Sequence, residues 1–78
     1  YPEFSKENGE QGEVTLSVMV EPNGRASAVD VVQGSGYARL DRAAHDTVLN
    51  QYRFTPATRG GQAIAYRYRF SIVFKLNR

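Results

Sequence analysis

From Ile64 to Leu76 the chain alternates without a break between large apolar residues and polar or small ones. Ile64, Tyr66, Tyr68, Phe70, Ile72, Phe74 and Leu76 fall on one side, and Ala65, Arg67, Arg69, Ser71, Val73, Lys75 and Asn77 on the other. A period of two over this distance is compatible only with a β-strand that lays one face on a core. Its thirteen residues are about twice the usual strand length of five or six. Such a strand either outreaches its partners within the chain or pairs with something outside it.

The rest of the chain supplies few partners. Val14, Leu16, Val18 and Val20 alternate with Thr15, Ser17, Met19 and Glu21, a second half-buried strand. Glu21-Pro22-Asn23-Gly24 follows, with residue types that preset or tolerate turn dihedrals. A third strand then places Val29 and Val31 inward and Ala28, Asp30 and Val32 outward, so the two runs form an antiparallel hairpin. Gln33-Gly34-Ser35-Gly36 breaks it. From Ala38 to Gln51 the period becomes helical, with Leu40, Ala43, Ala44, Thr47, Val48 and Gln51 on one face. Ser35 is expected to cap this helix and Asp41 to sit in its first turn. Thr55-Pro56 forces it to end upstream, because a residue before proline avoids the α region. Arg59-Gly60-Gly61-Gln62 reads as a loop before the long strand, and residues 1–11 as an extended or loosely helical lead-in to a domain spanning 12–78.

The order β-β-α-β predicts an α+β fold: a three-stranded antiparallel sheet with one helix packed on one face. Three strands cannot close into a barrel, so two sheet edges stay open, and the long last strand is expected to form one of them. At 78 residues there is room for one domain, and 41% hydrophobic residues with five tyrosines and four phenylalanines suffice for a core. Cysteine is absent, so neither a disulfide nor a thiolate metal site reinforces it. No apolar run approaches the roughly 18 residues that cross a bilayer. A beginning at Tyr1-Pro2 rather than Met reads as a segment of a longer chain, with any anchor upstream.

Charge is polarised along the chain. Glu3, Glu7, Glu10, Glu13 and Glu21 crowd the first part, whereas no acidic residue follows Asp46 and Arg53, Arg59, Arg67, Arg69, Lys75 and Arg78 are all basic. That end is either a solubilising surface or an attractor of acidic partners.

Chemistry finds little purchase. His45 is the single histidine, so no multi-histidine metal site forms, and no cofactor is expected. Asp41 and Asp46 lie about 140° apart round a helix and do not make an acid/base pair. Gly34-Ser35-Gly36 lacks the flanks and base of a nucleophile elbow, and Gly60-Gly61 lacks the lysine and helix of a phosphate loop. The chain is not expected to be an enzyme. Tyr66-Arg67-Tyr68-Arg69-Phe70 interleaves aromatics with arginines as single-stranded nucleic-acid platforms do. On a strand the two sets point to opposite faces and do not serve one ligand, so no nucleic-acid partner is expected, and a small basic single-stranded nucleic-acid-binding module stays only as a lesser alternative. What remains is the open edge, whose free N–H and C=O groups recruit an extended peptide as an added strand, with Arg67, Arg69 and Lys75 tuning its choice. The same edge would serve a homodimer formed by strand pairing or swapping.

Several segments, in order, resemble one family. Tyr1-Pro2, Gly12-Glu13-Val14 and Pro22-Asn23-Gly24-Arg25 are similar to the opening of TonB C-terminal domains. Ser35-Gly36-Tyr37-Ala38-Arg39-Leu40-Asp41-Arg42-Ala43-Ala44 resembles the family's S-G-x-x-x-L-D-x-A-A segment, Tyr52-Arg53-Phe54-Thr55-Pro56-Ala57 its W-x-F-x-P-A signature, and Phe70 to Leu76 its closing strand. The departures are Tyr52 for the usual Trp, Ser5 for a small alanine, and Val18 where some members carry an aromatic. The resemblance implies a periplasmic domain of an inner-membrane-anchored energy transducer, coupled through its upstream part to an ExbB–ExbD-like motor. It implies binding of the TonB box of outer-membrane transporters that import siderophores, haem or cobalamin. The box would add as a strand beside Ser71, Ile72, Val73, Phe74, Lys75, Leu76 and Asn77, with Tyr52, Phe54 and Phe74 as the important aromatic positions and Arg67 and Arg69 as basic support. The alternative is an envelope adaptor of TonB or TolA type with a different periplasmic partner.

Overall fold

The structure, a computed structural model, describes residues 1–76. Its elements run α1 (Glu3–Glu7), β1 (Gly12–Val20), β2 (Ala26–Gln33), α2 (Ala38–Asn50), β3 (Ala57–Arg59), β4 (Gln62–Ile64) and β5 (Tyr66–Phe74). The main sheet is antiparallel with order β2-β1-β5, and β3 pairs with β4 in a separate small hairpin.

β1 is central because it is the most continuously apolar and β-branched stretch of the chain. Val14, Leu16, Val18 and Val20 are all fully buried, and each such side chain withdrawn from water favours folding by roughly 1.5–3 kcal/mol. α2 supplies the cover. Leu40, Ala44 and Val48, four residues apart on one face, are its buried residues, and the helix lies mainly over β2 and β1. The aromatic face of β5 is closed instead by the chain that follows the helix, where Phe54 packs against the core beside Tyr68, Phe70, Ile72 and Phe74.

The long alternating run is divided. β5 matches β1 residue for residue from Gly12 opposite Phe74 to Val20 opposite Tyr66. Beyond Val20 the chain turns at Glu21-Pro22, so β1 has nothing to offer residues before Tyr66. They pair with Ala57–Arg59 instead, and Ala65 separates the two pairings. Thus the expected strand from Ile64 to Leu76 is two strands, and the expected loop around Gly60-Gly61 is the tip of their hairpin. The molecule is elongated, 48 Å long and 19 Å across.

Two further expectations are corrected. Val31 pairs with Leu16 on the inward face yet stays exposed, because β2 is an edge strand and a register shift leaves Val32 without an opposite residue. Ser35 does not cap α2 directly; the cap position is Tyr37, with no side-chain cap bond. Ser35 acts one step earlier. Its Oγ accepts the Tyr37 N–H at 3.1 Å and donates to the Asp41 carboxylate at 2.8 Å, and that carboxylate also accepts the Ser35 N–H at 2.8 Å. A Cβ at Gly34 would lie 2.5 Å from Asp41 Oδ2, so a larger residue there would push the carboxylate from its place.

Candidate peptide-binding edge

Among the described residues, β5 has a strand neighbour on one side only. Its two faces differ as the alternation predicts except at its start: Tyr68, Phe70, Ile72 and Phe74 are half-buried and Arg67, Arg69, Ser71 and Val73 exposed, but Tyr66, on the apolar side, is 53% exposed. Val73 is 63% exposed, a large apolar side chain left in solvent beside an open edge.

Behind the edge the aromatic rings form a connected group. Tyr52 stacks on Phe70 with centroids 6.3 Å apart and planes 11° from parallel, and Phe54 lies 5.9 Å from Tyr52 and 6.0 Å from Phe70. Phe54 is fixed by its backbone as well, its N–H donating to the Gly24 carbonyl at 2.8 Å. Gly24 has φ +83, and a Cβ on it would lie 2.5 Å from the Phe54 carbonyl oxygen. The β1–β2 turn and the segment after α2 therefore lock together, which carries Tyr52 and Phe54 across to β5.

Phe74 belongs to a different neighbourhood. Its ring meets Tyr1 edge-on, 5.1 Å between centroids at 77°. The Tyr1 hydroxyl donates to the Glu10 carbonyl. α1 is held by polar groups: Ser5, fully buried, donates to Glu10 Oε1 at 2.6 Å, and Arg39 stands 3.7 Å over the Phe4 ring and 3.7 Å from Glu10 Oε2. Just past β5, the Leu76 N–H donates to Gln11 Oε1 at 2.9 Å, so a side chain extends the ladder one step after the strands end.

On the outer face, Arg67 donates to Ser17 Oγ at 3.0 Å and pairs with Asp30 at 3.5 Å, while the Thr15 and Ser71 hydroxyls share a bond of 2.9 Å. Among the described residues Arg69 and Lys75 have no ion-pair partner.

With this geometry the comparison with known proteins is specific. Residues 1–76 match the family described as the Gram-negative bacterial TonB protein C-terminal. The chain belongs to the TonB C-terminal family. A TonB protein of Xanthomonas campestris is 40% identical over 77 residues, covering 99% of this chain and 34% of that protein. One from Neisseria meningitidis serogroup C is 50% identical over 50 residues, 64% of this chain and 18% of that protein. The chain thus spans between about a fifth and a third of the length of these relatives. The solution structure of the Pseudomonas aeruginosa TonB C-terminal domain shares the fold, with a TM-score of 0.78 at 23% identity over 100% of this chain and 78% of that one. Membership makes this TonB C-terminal domain non-enzymatic.

The family's segments acquire physical reasons here. Ser35 and Asp41 of the S-G-x-x-x-L-D segment bond to each other, and the P-N-G turn holds the backbone of the Y-x-F-x-P-A segment. Of the residues expected at the edge, Ser71, Ile72, Val73 and Phe74 lie in β5, Lys75 and Leu76 just beyond it, and Asn77 outside the described residues. Tyr52 and Phe54 converge on Phe70 rather than on Phe74. The partner of Phe74 is Tyr1, which alternation does not reveal because the two lie at opposite ends of the chain. Gln11 at the strand end had no sequence signal.

Proposed function

We propose that this domain binds the TonB box of outer-membrane transporters by adding it as a strand along the open edge of β5. The contact would run along Ser71, Ile72, Val73, Phe74, Lys75, Leu76 and Asn77, with Tyr52 and Phe54 supporting the strand from behind and Arg67 and Arg69 lying on its outer face. One observation carries this reading: β5 is nine residues long, fully paired on one side and, among the described residues, without a strand on the other. An added strand gains backbone hydrogen bonds along that edge and covers the exposed Val73. Affinity would then come mostly from the backbone, which suits a domain serving transporters of differing sequence.

On this reading the domain is the periplasmic end of an inner-membrane-anchored protein. It transmits energy from an ExbB–ExbD-like motor to transporters of siderophores, haem or cobalamin. Two-dimensional NMR titration with a TonB-box peptide tests the docking step. Amide shifts concentrated in β5 and at Lys75 and Leu76 are expected; no selective shift at millimolar peptide would remove the proposal. Because the same edge is open to a second copy of the chain, the titration is run alongside sedimentation analysis. A β5–β5 dimer would appear as peptide-dependent dissociation.

A further inference from the structure

We infer, on the strand-addition reading given above, that the upstream half of β5 carries a side-chain subsite: a cavity beside Tyr68 and Phe70 takes one large apolar side chain of the added strand, and Arg69 takes the carboxylate of the residue beside it.

The cavity, of about 230 Å³, is lined by Phe54, Thr55, Tyr68, Arg69 and Phe70. Val18 and Leu16, the β1 residues opposite Tyr68 and Phe70, do not line it. It is an open cavity bounded by the outermost strand of the sheet and by the segment after α2. Sites that enclose a small molecule run from roughly 300 to 1,000 Å³. This one is smaller and suits a single leucine- to phenylalanine-sized side chain. Its aromatic walls are preset, since Phe54 is held by the Gly24 carbonyl and packs 6.0 Å from Phe70.

Strand geometry then dictates which residue goes where. In a strand laid beside β5, residues abreast of Tyr68 and Phe70 share their inward face, and the residue abreast of Arg69 shares its outward face. The inward residue meets the cavity and its neighbour meets Arg69. The two arginines of this stretch are not equivalent. Arg67 is already engaged by Asp30 and Ser17, whereas Arg69 has no ion-pair partner among the described residues. No acidic residue follows Asp46 in the sequence, so the chain itself offers this end no nearby carboxylate from β5 or its flanks. A second copy of the chain is a poor occupant for the same reason, because antiparallel β5–β5 pairing centred here sets arginine against arginine. The occupant is an extended peptide in which a large apolar residue adjoins an acidic one.

The probes are the acetylated, amidated peptide Thr-Val-Glu-Leu-Thr-Val-Thr, a version with alanine for its leucine, a version with glutamine for its glutamate, and a TonB-box peptide as reference. NMR titration follows the β5 amides and the intermolecular contacts to the rings of Phe54, Tyr68 and Phe70. The leucine methyls are expected to contact those rings, and the alanine peptide to bind about tenfold more weakly. The glutamine peptide should lose affinity for the native domain but not for Arg69→Gln. Thr55→Phe, at an exposed position on the cavity rim, should fill the space and erase the preference for leucine. If the β5 amides shift but leucine and alanine peptides bind alike without ring contacts, the subsite is refuted and strand addition survives. If no peptide, the reference included, shifts the β5 amides, strand addition itself falls and the subsite with it.

Discussion

The Asp41 carboxylate holds Ser35 twice, accepting its N–H and its hydroxyl at 2.8 Å each. The bonds tie the segment after β2 to the first turn of α2. Asp41→Ala leaves the Ser35 N–H without its acceptor and is expected to cost about 1–3 kcal/mol. In thermal unfolding this lowers Tm by at least about 4 °C. Ser35→Ala should cost less. The double variant should fall short of the sum, since both substitutions break one network.

The approach of Gly24 to the Phe54 carbonyl predicts a contrast between two glycines. Gly24 and Gly36 both have positive φ, +83 and +96, but an added Cβ meets Phe54 at the first and nothing within 4 Å at the second. Gly36→Ala should cost only the conformational strain, about 1–2 kcal/mol. Gly24→Ala should cost more and also move the Phe54 ring. Denaturant unfolding of the two variants, with aromatic chemical shifts, measures the difference. Equal losses would show that the turn does not lock the segment.

Ser5 is fully buried with its hydroxyl on Glu10. Ser5→Ala is expected to lose about 1 kcal/mol, and to lose it locally. The Glu10 N–H, bonded to the Ser5 carbonyl at 2.8 Å, should exchange with solvent faster, while the amides of β1 keep their protection.

Arg67 makes the most visible polar contacts on the outer face, yet its side chain is 49% exposed and that of Asp30 is 70% exposed. Pairs this wet contribute between nothing and about 1 kcal/mol. Arg67→Ala should therefore leave Tm within a few degrees of the parent and leave the β5 amide pattern unchanged. A large loss would mean that the bond to Ser17 Oγ, not the ion pair, anchors β5 to β1.

Alternation and helical period alone determined α2, the three strands of the main sheet, the α+β class and the open edge, but not the β3–β4 hairpin. Side-chain direction follows backbone period, and a core must face the apolar side. Hence Val14 to Val20, Leu40, Ala44 and Val48 could be assigned to the interior without coordinates. Alternation could not show where the long run from Ile64 to Leu76 changes partners. A strand ends where its neighbour ends, and β1 stops at Val20 because a turn elsewhere in the sequence begins there. Nor could it show that Tyr52 and Phe54 gather on Phe70, that Tyr1 meets Phe74, or that Gln11 completes the ladder at Leu76. Those contacts join residues far apart in the chain, and they exist only once the β1–β2 turn has docked on the segment after α2. The sequence specified a strand with a free edge; the tertiary structure decided which rings stand behind it and how much of it remains available to a partner.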